Sequence, residues 1–126
     1  MTTLHTANAT DFAASLVTET GAVPLVRFDG RAEAAAKEVL ASFLQTVDLH
    51  LMKLAATEVS VDFRELTFMN SSCFKDFVVW LSEVRKRPAP QQYRLRFVSN
   101  PKIRWQRASL ASLSCFAVDL VEIVAD

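Results

Sequence analysis

The chain has 126 residues, 51% of them apolar and 22% charged, with only two glycines, which fits one ordered domain and excludes a disordered chain. Fourteen basic residues balance fourteen acidic ones, so bulk charge gives no reason to expect nucleic acid or an anionic membrane as a partner. No apolar stretch approaches bilayer length, and two cysteines are too few for a disulfide framework; both point to a reduced, cytoplasmic protein.

The first sixteen residues, MTTLHTANATDFAASL, lack the basic and apolar regions of a signal peptide, and residues 1–10 read as a disordered tail of the domain. Phe12 to Thr18 and residues 22–29 are short apolar runs separated by Glu19-Thr20-Gly21, a hairpin pattern. Asp29-Gly30 is expected to end the second strand and cap a helix. That helix carries Ala32, Ala36, Val39, Phe43, Val47 and Leu51 on one face and either runs to about Ala55 or breaks near residues 46–48.

Val59, Val61 and Phe63 alternate with Ser60, Asp62 and Arg64, the period of a strand. After the polar turn Asn70-Ser71-Ser72-Cys73, a helical stripe of Phe74, Phe77, Val78, Leu81 and Val84 runs to Pro88-Ala89-Pro90, which stops it. Tyr93, Leu95 and Phe97 mark a further strand. Ser99-Asn100-Pro101 predicts a capped helix start, with Ile103, Arg107, Leu110, Leu113 and Ala117 facing inward, and residues 118–124 a last strand.

The expected order is ββαβαβαβ, an α/β fold with a mixed, mostly parallel sheet. Strands covered on both faces read as continuous apolar runs, whereas residues 59–63 and 93–98 alternate with charges. The helices are therefore expected mainly on one face, leaving the other as a contact surface. Between Arg85 and Arg107 lie Lys86, Arg87, Arg94, Arg96, Lys102 and Arg104 with no acidic residue, which predicts a basic edge suited to an acidic protein partner.

The turn is where chemistry concentrates. Free backbone amides at a helix start point outward and favour an anion, so Ser71 and Ser72 serve either as structural caps or as sites for a phosphate. Cys73 in the same position invites a nucleophile reading through a lowered thiol pKa, but His5 and His50 lie far from it in sequence and supply no evident base. Those histidines are not at ligand spacing from Cys73 and Cys115, and no metal site, cofactor loop or paired-carboxylate site is defensible. Tyr93 and Trp105 beside arginines can stack on bases, yet zero net charge argues against direct nucleic-acid binding. Trp105 falls off the inward stripe of the last helix, at the border of the core or on the surface, where it would anchor an interface.

The run Asp62-Phe63-Arg64-Glu65-Leu66-Thr67-Phe68-Met69-Asn70-Ser71-Ser72-Cys73 resembles the signature of the STAS family (sulfate transporter and anti-sigma factor antagonist), in which a strand ends in an Asp-Ser-Ser-Gly turn opening a helix. Phe28-Asp29-Gly30 resembles the family's strand-to-glycine step, and the residues from Phe97 to Arg107 resemble a bacterial and cyanobacterial subgroup with Asn in the turn. The resemblance implies a single STAS-like domain over residues 1–126 acting as a noncatalytic regulator of anti-sigma factor antagonist type. It implies a partner that is both anti-sigma factor and serine kinase, a serine phosphatase that reverses the modification, Ser72 as phosphate acceptor and Ser71 as its neighbour and possible substitute. Asn70, Ser71, Ser72, Cys73, Lys75 and Trp105 are the expected partner interface. The alternatives are a STAS-like scaffold, unmodified and homodimeric, and an enzyme dependent on Cys73.

Overall fold

A computed structural model describes residues 1–125. Six strands, β1 (Thr2–Ala9), β2 (Phe12–Thr18), β3 (Leu25–Ala32), β4 (Glu58–Met69), β5 (Arg94–Ser99) and β6 (Val121–Ala125), form one sheet in sequence order. The first three pair antiparallel and the last four parallel, giving the mixed sheet expected. Helices α1 (Lys37–Lys53), α2 (Ser71–Arg85) and α3 (Arg104–Phe116) make the three parallel crossovers. Right-handed crossovers that always step in the same direction put every helix on the same face.

That face carries the core. Phe28, Phe63, Phe77 and Phe97 are fully buried, and Phe63 meets the other three edge to face at centroid distances of 5.8, 5.2 and 5.4 Å. Such pairs contribute about 0.5–1.5 kcal/mol each beyond the area they bury. The opposite face is polar and open: Arg27 pairs with Asp29, and Arg94 and Arg96 flank Glu122.

Residues 2–9, expected to be a tail, instead form β1, pairing along β2 from Thr2 with Thr18 to Ala9 with Phe12. An edge strand needs only one half-buried apolar row, and Leu4, Ala7 and Ala9 supply it too weakly to register as a pattern. The order is thus βββαβαβαβ.

Asp29-Gly30 neither ends β3 nor caps a helix. The strand continues to Ala32 through register shifts on either side of Asp29-Gly30, with Gly30 at φ +95°. The chain then makes a 3-10 turn over Ala34–Ala36 and enters α1 without a side-chain cap. The helix runs unbroken through residues 46–48, where Thr46 Oγ1 donates to the Ser42 carbonyl one turn back at 3.1 Å.

Asn100 likewise caps no helix: its side chain accepts from the Lys102 amide at 3.0 Å in a local turn, and α3 starts four residues later. Arg107, expected inward, is exposed, while Gln106 is fully buried. Its Nε2 donates to the carbonyls of Phe63 at 2.6 Å and Leu66 at 2.9 Å, and its Oε1 accepts from the Asn100 amide at 2.8 Å. This satisfied amide replaces a ladder partner where β4 outruns β5. The last strand starts three residues later than expected, leaving Val118 73% exposed in the preceding loop.

Several arginines of the expected basic edge are engaged within the fold. Arg87 forks onto Asp48, which also accepts from Tyr93 Oη at 2.6 Å, and Trp80 Nε1 donates to the same phenol at 2.6 Å. Arg85 donates to the Phe116 carbonyl at 2.7 Å, and Arg94 and Arg96 face Glu122.

Candidate functional site

Strand β4 extends to Met69, held at its end by the Asn70 amide donating to the Ala32 carbonyl of β3 at 2.9 Å. The chain then turns directly into α2 at the carboxyl edge of the sheet, the edge where open α/β sheets carry their sites. Asn70 is the cap: its Oδ1 accepts from the Cys73 amide at 2.8 Å, in place of an intrahelical bond that the first turn cannot make. The same oxygen accepts from Ser72 Oγ at 3.1 Å.

The two serines differ. Ser71 is exposed, while Ser72 is half-buried with its hydroxyl turned back to the cap. Neither is sealed inside the molecule. As the first two helical residues, both have amides without an intrahelical acceptor.

Lys37, at the first turn of α1, donates from Nζ to the Ser72 carbonyl at 2.9 Å and to Asp76 Oδ1 at 2.9 Å. It thereby places an ammonium beside the turn. Asp76 sits one helical turn beyond Ser72; its side chain is only 10% exposed, and its Oδ2 is buried without a partner among the described residues. Lys37 and Asp76 were missed from sequence, since Lys37 lies 35 positions from Ser72 and 39 from Asp76. The legible signal was topological: successive parallel crossovers start α1 and α2 at the same sheet edge.

Cys73 corrects two expectations. It is fully buried, with Sγ 3.5 Å from the Glu33 carbonyl, so its side chain cannot contribute to a partner interface. Burial and then the nearby Asp76 charge push its thiol above the usual range, against a smaller opposing effect of Lys37. A helix N-terminus lowers the pKa of an accessible thiol, but here burial dominates and raises it. A raised, buried thiol is the reverse of what a nucleophile needs.

Lys75 is exposed one turn along α2 from Ser71. Trp105, in the first turn of α3, donates from Nε1 to the Thr67 carbonyl at 2.8 Å and packs its ring 6.3 Å from Phe63. It is half-buried and pins α3 to the end of β4, so it borders the site as a strut more than as a free anchor. Ser71 and Lys75 thus lie exposed one turn apart on α2, with Asn70 and Ser72 at its start, while Trp105 packs against Thr67 and Phe63 at the end of β4. Among the described residues no three His, Cys, Asp or Glu side chains gather as a metal site, and no helix is long and apolar enough to cross a membrane.

No family model matches this sequence, and no curated protein sequence matches it. Among solved structures, the chain is similar to the crystal structure of an anti-sigma factor antagonist from Mycobacterium paratuberculosis, with a TM-score of 0.63. The match covers 90% of this chain and 85% of that one at 12% identity. At that identity what the two share is a fold, the STAS architecture of a mixed sheet with its helices on one face.

Proposed function

We propose that this protein is a noncatalytic regulator of anti-sigma factor antagonist type, acting by reversible association and switched by phosphorylation of Ser72. Its partner in this reading is a protein that is both serine kinase and anti-sigma factor, with a serine phosphatase restoring the free hydroxyl. The setting is the cytoplasm. The STAS fold, shared with the anti-sigma factor antagonist from Mycobacterium paratuberculosis, supports the general role.

The observation that carries the reading is the accessibility of the Ser71-Ser72 pair at the first turn of α2, next to the Lys37 ammonium. A phosphate adds about −1.5 to −2 charge near neutral pH. Uncapped first-turn amides and a lysine one contact away stabilise that charge locally, whereas Asp76, already competing for the same lysine, limits the gain. The added charge therefore falls mostly on whatever docks over Asn70, Ser71, Ser72 and Lys75. Binding changes while the fold persists.

The test is a titration of the kinase partner, isolated from the native host, with wild type, Ser72→Ala and Ser72→Asp. Ser72→Asp is expected to weaken binding by roughly tenfold or more with an unchanged melting temperature. Intact mass before and after phosphatase treatment should show one phosphate. Equal affinity for all three forms overturns the reading.

A further inference from the structure

We propose that His5 and His50 form a metal site, in which two imidazoles hold one divalent transition-metal cation, with water in its remaining positions, and clamp edge strand β1 to helix α1. These are the only two histidines of the chain, and they belong to elements far apart in sequence. The fold brings their rings to a centroid distance of 6.5 Å.

A break in strand geometry aims the first of them. Thr3 and His5 stand two apart, so regular alternation would put both on one face of the sheet. Their partners on β2 are Val17 and Leu16, which are adjacent and therefore face opposite ways. The register shift between Thr3 and His5 thus turns His5 across to the face of buried Leu16, the face that carries α1. There its ring stacks on Phe43 of α1 at a centroid distance of 5.5 Å, with 17° between the planes. His50 lies about two helical turns beyond Phe43 on the same stripe, which sets it beside His5.

The ring nitrogens are available to a ligand. Neither side chain has a hydrogen bond or ion pair among the described residues, and both are half-buried. Of the described side chains, only Asp76 has a polar atom that is both unpartnered and sealed from solvent, so water reaches these nitrogens. A metal bond to imidazole nitrogen is about 2.0–2.1 Å long, which puts the ring centroid about 3.2 Å from the metal. Two rings sharing a cation then have centroids about 4.5 Å apart at a right angle, about 5.2 Å apart in a tetrahedron and about 6.4 Å apart in line. From 6.5 Å, a movement of about 1 Å by two half-buried rings closes the site.

The donor set selects the cation. No third His, Cys, Asp or Glu joins the pair among the described residues. Hard Mg²⁺ and Ca²⁺ require oxygen donors, whereas imidazole suits Zn²⁺, Ni²⁺ and Cu²⁺. β1 has β2 as its one ladder partner, so a cation shared with α1 gives this strand a second fastening. The site uses no atom of Ser71 or Ser72 and stands whether or not that turn is phosphorylated.

The experiment titrates the full chain, free of any histidine tag and near neutral pH, with Ni²⁺, Zn²⁺ and Mg²⁺ in calorimetry and thermal melting. Ni²⁺ and Zn²⁺ are expected to bind at one cation per chain. At about tenfold excess over Kd each should raise the melting temperature by about 3–6 °C, and Mg²⁺ should not. His5→Phe keeps a ring to stack on Phe43, and His50→Gln keeps a polar group at a half-buried position. Both should melt near wild type without metal and bind Ni²⁺ at least about tenfold more weakly. Cys115→Ser, which removes the exposed thiol, should leave the affinity unchanged. Zn²⁺ should shift the amide signals around His5 and His50 ahead of all others. Unchanged affinity in either histidine variant, no binding at millimolar Ni²⁺ and Zn²⁺, or an equal response to Mg²⁺ overturns the proposal. So does loss of binding in Cys115→Ser, or a cation that doubles the mass in light scattering, since each places the metal elsewhere. Should a histidine variant unfold, wild-type Zn²⁺ shifts centred away from both imidazoles overturn it as well.

Discussion

The substitution Gly30→Ala isolates a steric requirement on which the site depends. Gly30 and Gly21 both have positive φ, +95° and +80°, so alanine at either carries backbone strain of about 1–2 kcal/mol. The surroundings separate them. A Cβ on Gly30 would lie 2.0 Å from the Asp11 carbonyl oxygen and 2.9 Å from its carbon, both backbone atoms, whereas nothing lies within 4 Å of one on Gly21. The same Asp11 oxygen accepts from the Arg31 amide at 2.7 Å, a bond that cannot survive a displacement of an ångström or more. Losing it adds about 1 kcal/mol. Gly30→Ala is therefore expected to cost about 2–4 kcal/mol, a fall in melting temperature of about 10 °C or more for a chain of this size. Gly21→Ala should cost no more than about 1–2 kcal/mol. Urea unfolding followed by circular dichroism measures both. Because the Gly30 carbonyl accepts from Thr67 Oγ1 at 3.0 Å and the Ala32 carbonyl from the Asn70 amide, the disturbance should also reach the turn. Costs within about 0.5 kcal/mol of each other for the two variants would refute the steric argument.

Two further outcomes test the interior. In the folded protein a thiol reagent at neutral pH should modify exposed Cys115 rapidly and spare Cys73, with both reacting after denaturation; prompt modification of two thiols in the native state contradicts the burial of Cys73. Tyr93→Phe removes the donor to Asp48 and strands the buried Trp80 indole N–H, so it should destabilise by about 2–4 kcal/mol in chemical denaturation. Burial, followed by the hydrogen bond to Asp48 and its charge, holds the Tyr93 phenol well above its ordinary value of 10.0. The folded state thus binds this proton more tightly than the unfolded state. The wild-type advantage over Tyr93→Phe should be complete below about pH 10 and shrink as pH rises further, and an advantage that grows with alkali contradicts that sign.

The β4 to α2 step was legible from residues alone, because its signals are local. Alternation over residues 59–63, a polar turn and a 3.6-residue stripe each reflect the chain's own geometry within one turn or strand, although the cap is Asn70 and not the serines after it. The α/β order and the one-sided placement of helices followed for the same reason, from alternating strands that advertise one wet face and from the handedness of crossovers. Local signals also misled. Asp29-Gly30 carries the pattern of a strand end and cap, but positive φ at Gly30 serves a close approach by Asp11 in the turn between β1 and β2. Ser99-Asn100-Pro101 carries a helix start, but Asn100 closes a smaller turn on Lys102.

What only the tertiary structure decided lies between segments. Whether β1 pairs depends on β2 being present, since its own apolar row is faint. Cys73 has a helix-start environment in sequence and a core environment in space, and the desolvation that raises its pKa is a property of the packing around it. Lys37 reaches Ser72 and Asp76 because two parallel crossovers bring two helix starts to one sheet edge, and Gln106 is buried because bulged β4 leaves carbonyls for it to satisfy. Periodicity determines which face of an element turns inward; which distant side chains then meet there is set by the register and direction of the strands.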